Sequence, residues 1–312
     1  MSRVFVFPGQ GSQSVGMVAA LAAGDPVVEQ TFHEASQVLG YDLWKLVVDG
    51  PAETLNETTR TQPAMLAAGV ATWRCWRNAG GAMPDAVCGH SLGEFAALTA
   101  AGVLEFTEAM RLVRHRSELM QDAVPIGVGA IAAVLGLEDE AIAAACAEAA
   151  GGEVVEPVNF NAPGQMVIAG HAGAVNRALE ACKARGAKRA VLLPMSVPAH
   201  SSLMRPAAES FAALLQDARL AAPRMAFWSP VDGAAHTDVQ DIRSLLQRQL
   251  ASPVRWAELI RRLAAAGFTQ FIECGPGKVL TSLNRRIEKR PEIHCLALQD
   301  MESLRAVQAQ LQ

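Results

Sequence analysis

Between residues 86 and 98, an apolar segment, a turn with two glycines and a helix-forming segment follow one another without a break. Ala86–Cys88 predicts a strand, Gly89–Gly93 reads Gly-His-Ser-Leu-Gly, and Phe95–Leu98 predicts a helix. A G-x-S-x-G turn in this context is sharp and exposes the serine hydroxyl, because glycine carries no side chain to clash. The bare pattern also occurs as a coincidental turn, but its flanking elements favour Ser91 as a nucleophile. Strands that alternate with helices also predict a parallel sheet covered on both faces.

The order of the predicted elements divides the chain into two parts. Val4–Phe7, Gln270–Glu273 and Val279–Ile287 continue the pattern of strands and helices on either side of the turn. From about residue 127 the order changes to β-α-β-β-α-β, which is the ferredoxin-like signature. Its six segments are Ala130–Leu135, Asp139–Ala149, Val154–Asn159, Met166–Ala169, Ala172–Arg185 and Arg189–Leu193.

We therefore predict an α/β fold in which a large α/β-hydrolase-like domain with a parallel sheet is interrupted by a small ferredoxin-like α+β domain. The large domain would be discontinuous and would comprise residues 1–126 and 196–312. The inserted domain would comprise residues 127–195. A cleft between two such domains is a natural ligand site.

The composition suits an enzyme with a large apolar core. Of the 312 residues, 51% are hydrophobic and 19% are charged, the formal net charge is −4, and no block of Lys and Arg occurs. Nucleic-acid binding requires a basic face, and a membrane span requires about 20 consecutive apolar residues. The first apolar run is too short for a signal peptide, and the six cysteines and seven histidines have neither disulfide nor metal-ligand spacing. We therefore expect a cytoplasmic protein without a metal and without nucleic-acid or membrane partners.

A serine nucleophile needs a base, and His200 is the histidine best placed to supply it. It ends the strand and turn of residues 192–199, just before a helix that can begin at Ser201 or Ser202. Active-site histidines commonly lie at such strand ends, although a hydrogen-bonded loop histidine is the alternative. His90 is the competing candidate, but an immediate neighbour of the serine on a tight turn would point away from the hydroxyl.

Arg116 is the most informative charged residue. The apolar residues of Thr107–Gln121 form one helical stripe, and Arg116 falls on that stripe whereas Arg111 and Arg114 fall largely outside it. A guanidinium on an inward face must find an anion, because an unpaired buried charge is costly. The anion is either an internal carboxylate or a substrate carboxylate held through two parallel N–H bonds. The second alternative would favour a malonyl group, which has a free carboxylate, over an acetyl group.

Two glycine-rich segments do not match the motifs that bind nucleotides. The glycines around Gln10 miss the G-x-G-x-x-G spacing, and Gly275–Val279 lacks the upstream glycine and the following Ser or Thr of a P-loop. We expect neither a dinucleotide site nor any other permanently bound cofactor.

Five segments, in their order along the chain, resemble the malonyl-CoA:acyl carrier protein transacylases. They are Phe7–Gln13, Gly89–Glu94, Arg116, Val197–His200 and Glu273–Gly277. The resemblance covers nearly the whole chain and is to the stand-alone bacterial enzyme of fatty acid synthesis. It implies malonyl-CoA as the substrate and an acidic, phosphopantetheine-bearing acyl carrier protein as the partner.

The resemblance also implies a role for each matching residue. Ser91 would be acylated, His200 would act as general base and then as general acid, and Arg116 would hold the free malonyl carboxylate. The backbone N–H groups of Gln10 and Leu92 would form the oxyanion hole.

Three further expectations follow from the resemblance and from position. The family orients its histidine with a main-chain carbonyl oxygen, and position suggests Gln249 for this role. The family usually reads Val-Pro-Ser-His where this chain has Ala199, which keeps the chemistry but leaves the acyl-chain selectivity open. A local basic cluster near the cleft edge would dock the carrier protein, or would simply complement the dipole at a helix end; it consists of Arg285, Arg286, Lys289 and Arg290.

Other functions stay open at this point. An esterase or thioesterase shares the G-x-S-x-G turn, but its pocket would have an apolar wall where Arg116 lies. An acyltransferase of a polyketide or malonate decarboxylase system would carry the same motifs. A non-catalytic scaffold that kept the fold is a more remote alternative.

Overall fold

A computed structural model of the chain describes residues 2–195 and 197–310. Residue 196, where we predicted that the second part of the large domain begins, lies outside these ranges, as do the chain ends of that domain. Within the described ranges, the strands form a six-stranded and a four-stranded sheet. They are β1 (Ser2–Phe7), β2 (Ala86–Gly89), β3 (Gly129–Leu135), β4 (Val155–Ala162), β5 (Gln165–His171), β6 (Arg189–Leu192), β7 (Ala226–Ser229), β8 (Ala234–His236), β9 (Phe268–Cys274) and β10 (His294–Leu298).

Helices cover both faces of the larger sheet and one face of the smaller sheet. They are α1 (Ala19–Ala22), α2 (Val27–Leu39), α3 (Leu43–Asp49), α4 (Ala52–Leu55), α5 (Thr58–Asn78), α6 (Gly93–Ala100), α7 (Phe106–Asp122), α8 (Asp139–Ala149), α9 (Ala172–Ala184), α10 (Arg205–Asp217), α11 (Val239–Arg248), α12 (Trp256–Ala265), α13 (Val279–Ile287) and α14 (Met301–Gln310). Single turns of 3₁₀ helix occur at Ser202–Met204 and Gln249–Ala251. In the part of the chain that the structure describes, no helix combines the length and apolarity needed to cross a membrane.

The larger sheet has the strand order β10-β9-β1-β2-β7-β8, and all neighbours are parallel except β7 and β8. Phe5 and Phe7 of β1 pack in the core that contains α5 and α6, whereas Val4 and Val6 pack on the opposite face with Trp256 of α12. Successive side chains of a strand point to opposite faces, so a central strand covered on both faces is apolar throughout. The expected α/β fold with a parallel sheet is confirmed.

The smaller sheet is antiparallel and has the strand order β4-β5-β3-β6. Helices α8 and α9 pack against it through an apolar core that includes Val134, Ile142, Ile168 and Leu179. The six segments that we predicted in this region are present in the predicted order, and each end lies within three residues of its predicted position.

Backbone hydrogen bonds join the smaller sheet to the segment between α11 and α12. The Val254 amide donates to the carbonyl of Val158 at 2.8 Å, and the Phe160 amide donates to the carbonyl of Val254 at 2.9 Å. Residues of β3 and β4 thereby line the same cavity as the residues that follow β1 and β2. The candidate site lies in this cavity, between the two sheets.

Candidate active site

Ser91 lies on a tight turn between β2 and α6. Its φ angle of 53° is in the left-handed region, which is unusual for a residue other than glycine and is typical of functional sites. Gly89 and Gly93, which flank this turn, leave no room for a side chain. A Cβ atom on Gly93 would lie 2.0 Å from the carbonyl oxygen of Phe7, and one on Gly89 would lie 2.0 Å from the carbonyl carbon of Gly93. The turn therefore packs directly against the end of β1.

The structure brings Ser91 and His200 together, as the sequence predicted. The Oγ atom of Ser91 lies 2.7 Å from Nε2 of His200. The other ring nitrogen, Nδ1, lies 2.8 Å from the carbonyl oxygen of Gln249. A carbonyl oxygen only accepts, so Nδ1 carries the proton and Nε2 is free to accept the proton of the serine. The Gln249 carbonyl thus lies where we expected the histidine-orienting group.

The environment of His200 favours the neutral imidazole. The side chain is buried, and its backbone N–H donates to the carbonyl of Leu250 at 3.1 Å. Burial, with a further contribution from the positive charge of Arg116, lowers the pKa of His200 to about 3. The competing histidine, His90, has its Nε2 atom 2.8 Å from Oδ1 of Asn161 on β4 instead.

Arg116 lies on α7 with only 1% of its surface exposed. Its Nη1 donates to the side-chain carbonyl of Gln62 at 2.5 Å, and its Nη2 donates to that of Gln249 at 2.8 Å and to Oγ of Ser91 at 3.3 Å. Among the described residues, no carboxylate forms an ion pair with this guanidinium within 4.0 Å. Its Nε atom is buried without a hydrogen-bond partner. Burial lowers the pKa of Arg116, and the nearby charge of Glu94 opposes that effect.

Gln10 and Leu92 line the cavity next to Ser91. Within the described ranges, neither backbone N–H has an acceptor, whereas the N–H groups of the neighbouring Gly11 and Gly93 are both bonded. Leu92 lies at the amino end of α6, where the helix dipole adds positive potential. Two free N–H groups beside a nucleophile are the arrangement that an oxyanion hole requires.

The cavity is polar where it meets Ser91. Three buried polar atoms that lack partners belong to residues that line it, and they are Nε2 of Gln10, Oδ1 of Asn159 and Nε of Arg116. Buried polar groups are normally hydrogen-bonded, so this set indicates a site for a polar ligand. The cavity continues into a groove of about 210 Å³ between the two sheets, through lining residues that both share, among them His90, Ile131 and Met195.

Several contributors to the site were not predicted. Gln62 follows the polar segment Thr58–Thr61 at the start of α5, and Asn159 lies between Val158 and Phe160 in β4, a strand that also contains Glu156 and Asn161. Glu94 was noticed only as part of a motif, although it is an acid inside the apolar helix α6 and is 1% exposed. The acid of α6 is the one signal of this kind in the sequence, because neither Gln62 nor Asn159 stands out from the other polar residues of its element.

The basic cluster lies on α13 and just after it. Arg285 donates to the carbonyl of Cys295 at 2.8 Å, and Arg286 donates to the carbonyl of Pro163 at 3.0 Å. Lys289 is exposed, and Arg290 pairs with Glu288 at 3.0 Å. Three residues of the four-residue basic cluster therefore have partners within the chain, and Arg286 connects α13 with the smaller sheet through Gln165.

Known proteins are similar to this chain over nearly its whole length. The sequence profile described as acyl transferase domain matches residues 4–307. A malonyl CoA-acyl carrier protein transacylase of Salmonella typhimurium is 56% identical over 283 residues, which are 91% of this chain and 92% of the relative.

Solved structures show the same similarity. An acyl carrier protein S-malonyltransferase from Vibrio cholerae has a TM-score of 0.94 at 56% identity, and the match covers 98% of this chain and 100% of that one. The structure of a type II PKS acyl-carrier protein in complex with its malonyl-transacylase gives a TM-score of 0.97 at 50% identity, over 99% and 100% of the two chains. The chain thus belongs to the acyl transferase domain family and, within it, to the malonyl CoA-acyl carrier protein transacylases.

Proposed function

We propose that this protein transfers the malonyl group of malonyl-CoA to the phosphopantetheine thiol of an acyl carrier protein, through an ester on Ser91, and so supplies fatty acid synthesis. The observation that carries the proposal is that Arg116 is buried beside Ser91 and has a hydrogen-bond donor without an acceptor. A buried guanidinium with a free Nε–H, and with its Nη2 atom 3.3 Å from the serine oxygen, offers a two-pronged donor to a carboxylate beside the nucleophile. A malonyl group provides such a carboxylate two bonds away from the reacting carbonyl carbon.

Acylation follows from the contacts around Ser91. The Oγ atom attacks the thioester carbonyl as Nε2 of His200, which lies 2.7 Å away, takes its proton. The N–H groups of Gln10 and Leu92 would stabilise the negative oxygen of the tetrahedral intermediate, and the carbonyl of Gln249 would stabilise the imidazolium. The carbon–sulfur bond then breaks, and the thiol of coenzyme A leaves with the proton from His200.

Transfer to the carrier protein repeats these steps in reverse order. Its phosphopantetheine thiol enters the groove that coenzyme A has left, and His200 takes the thiol proton. The sulfur attacks the ester carbonyl, the bond to Oγ breaks, and Ser91 recovers its proton. Two half-reactions at one serine predict ping-pong kinetics. The Salmonella typhimurium relative named as a transacylase, and the relative solved with its acyl-carrier protein, support the choice of acceptor.

The remaining expectations from the sequence belong to the same proposal. The larger part would be an α/β-hydrolase-like domain of residues 1–126 and 196–312, and residues 127–195 would form the inserted ferredoxin-like domain. The carrier protein would be acidic and would dock at Arg285, Arg286 and Lys289. We further propose that the enzyme is cytoplasmic, has no permanently bound cofactor, and has no nucleic-acid or membrane partner.

Intact-protein mass spectrometry tests nucleophile, donor and class together. After mixing with malonyl-CoA, the wild type should gain one malonyl group and Ser91→Ala should gain none. Addition of holo acyl carrier protein should remove the group from the enzyme and place it on the carrier. Labelling of Ser91→Ala equal to that of the wild type, or no labelling of either, would support a scaffold. Discharge to water as fast as to the carrier thiol would identify a thioesterase.

A further inference from the structure

Glu94 is a buried acid that follows the nucleophile by three positions, about one helical turn. It lies in the first turn of α6 and is 1% exposed. One carboxylate oxygen accepts a hydrogen bond from the hydroxyl of Ser229 at 2.7 Å, and the other accepts one from the side-chain amide of Gln249. The mechanism proposed above does not use this group, although burial of a carboxylate is costly unless it is bonded and balanced.

The side chain of Gln249 connects this acid with the catalytic groups. Its Nε2 donates to Glu94 and, at 3.0 Å, to the backbone carbonyl of Ser91. Its Oε1 accepts from Nη2 of Arg116 at 2.8 Å. A carboxylate only accepts and a guanidinium only donates, so the two charges fix which end of the amide faces which partner.

We propose that Glu94 is a positioning residue for the malonyl transfer described above: through the amide of Gln249 it fixes the guanidinium of Arg116, and it balances the buried guanidinium charge until the substrate carboxylate arrives. The inference rests on the proposed function, because its readout is the selection of a malonyl over an acetyl group. Glu94 touches no reacting atom in this arrangement.

The substitution Glu94→Gln tests the effect of the charge alone, because it removes the charge and keeps the size of the side chain. The new amide keeps the shape of the side chain and retains an oxygen that can accept from Gln249, but the charge-assisted bond becomes a neutral one. At pH 8 we expect kcat/KM for malonyl-CoA to fall by about tenfold, since charge-assisted hydrogen bonds are roughly twice as strong as neutral ones. The value for acetyl-CoA, which does not need Arg116, should change less than about threefold.

The pH profile of malonyl transfer distinguishes a positioning role of Glu94 from a merely structural one, because a structural role would not change this profile. Burial raises the pKa of Glu94 to about 7. Among the described residues, the titratable or charged groups that face it are Arg116 from α7, Asp232 beyond β7 and Cys88 from β2. Glu94 is ionised above its pKa, so malonyl transfer by the wild type should decline as the pH falls through this range. Glu94→Gln should lack that decline, and the difference between the two enzymes should close at low pH.

Two further variants test the route of the effect. If Glu94 acts through Gln249, then Glu94→Gln should cost nothing more in a Gln249→Leu background, because the two substitutions break one connection. Ser229→Ala removes a donor to the ionised carboxylate and should move the acidic decline to higher pH. This second variant keeps the test valid if Glu94→Gln does not fold.

Glu273→Gln is the matched control. Glu273 is also a fully buried acid, and it accepts hydrogen bonds from the backbone amides of Leu280 and Thr281 rather than from Gln249 or Ser229. This variant should lose thermal stability, while its ratio of malonyl to acetyl transfer should stay within about twofold of the wild type.

The outcomes separate the two proposals. If the wild type is not labelled by malonyl-CoA, the proposed function fails. The proposed function stands but the role of Glu94 is wrong if the wild type transfers malonyl and any one of three results is found. The first is that Glu94→Gln lowers kcat/KM equally for malonyl-CoA and acetyl-CoA, and the second is that this variant keeps the decline at acidic pH. The third is that Glu94→Gln lowers kcat/KM in the Gln249→Leu background as much as it does in the wild type.

Discussion

The Nη2 atom of Arg116 lies 3.3 Å from the Oγ atom of Ser91, although the guanidinium enters the site from α7, 25 residues further along the chain. The two groups meet in one cavity, Ser91 from the turn that precedes α6 and Arg116 from α7, and these two helices pack against each other. A cation fixed at this distance from a nucleophile selects an acyl group that has an anion close to its carbonyl carbon. If Arg116 binds the malonyl carboxylate as we propose, its contact with Ser91 couples the acyl selectivity of the enzyme to the position of the nucleophile.

Arg116→Ala should abolish most malonyl transfer and leave acetyl transfer intact or faster. Loss of two charge-assisted hydrogen bonds predicts a decrease in kcat/KM for malonyl-CoA of about 10²-fold or more. The measurement is a comparison of both acyl-CoA donors with each variant. Arg111→Ala is the control, since Arg111 is an exposed residue of the same helix that pairs with Glu108 at 3.1 Å. Equal losses for both donors would contradict the carboxylate-binding role.

Acetyl transfer should persist as the pH falls below the ordinary range of histidine. The pKa of His200 is lowered to about 3, so the neutral base is present throughout the interval from pH 8 to pH 5. An unperturbed histidine would instead lose its base form near pH 6.5. We expect kcat/KM for acetyl-CoA to be flat across this interval, and His200→Ala to lower it by about 10²–10⁴-fold at each pH. A half-loss of the wild-type rate near pH 6.5 would show that the imidazole titrates normally.

Part of this site was predictable from sequence because its signals are local. The strand, turn and helix around Ser91 are contiguous, the helical stripe that contains Arg116 lies within one helix, and His200 lies in a short segment between β6 and the turn of 3₁₀ helix at Ser202–Met204. Strand β1, which contains the continuous apolar run Val4–Phe7, was identified for the same reason.

The rest depends on contacts between distant segments. The bonds from Arg116 to Gln62 and to the side chain of Gln249 join residues that are 54 and 133 positions apart, and no periodicity or motif indicates them. Helix α5 carries Pro63 near its start, which resembles a helix boundary, and β8 has only three residues. We did not predict either element, because Pro63 breaks the helical pattern of α5 and three residues are too few for a recognisable strand pattern in β8.

Gly93→Ala should prevent formation of the catalytic turn. Its Cβ atom would overlap the carbonyl oxygen of Phe7 at 2.0 Å, and neither α6 nor β1 can move without disturbing the core of the larger sheet. Overpacking of this kind destabilises a protein by about 1–3 kcal/mol, and malonyl labelling of Ser91 should be lost. Thermal unfolding and mass measurement check both effects.

Gly173→Ala is the matched control for that substitution. Gly173 lies in the first turn of α9, and its Cβ atom would meet only the flexible ends of Glu153 and Arg177, at 3.2 Å or more. This variant should be labelled normally and should be as stable as the wild type or more stable by roughly 0.5–1 kcal/mol, because alanine favours helix. Normal labelling of Gly93→Ala would mean that the turn adapts to a side chain.

Lys289→Glu should weaken transfer to the carrier protein without affecting acylation of the enzyme by malonyl-CoA. Lys289 is exposed beside α13, whose first residues line the groove that leads to Ser91. If an acidic carrier protein docks here, reversal of this charge should raise the KM for the carrier severalfold at low salt, and the difference should shrink at high salt because exposed charges are screened. Acylation by malonyl-CoA alone should keep its rate. Lys45→Glu, at a side chain that is 71% exposed on α3, is the control and should change neither step. Equal KM values for the carrier with both variants would place the docking surface elsewhere.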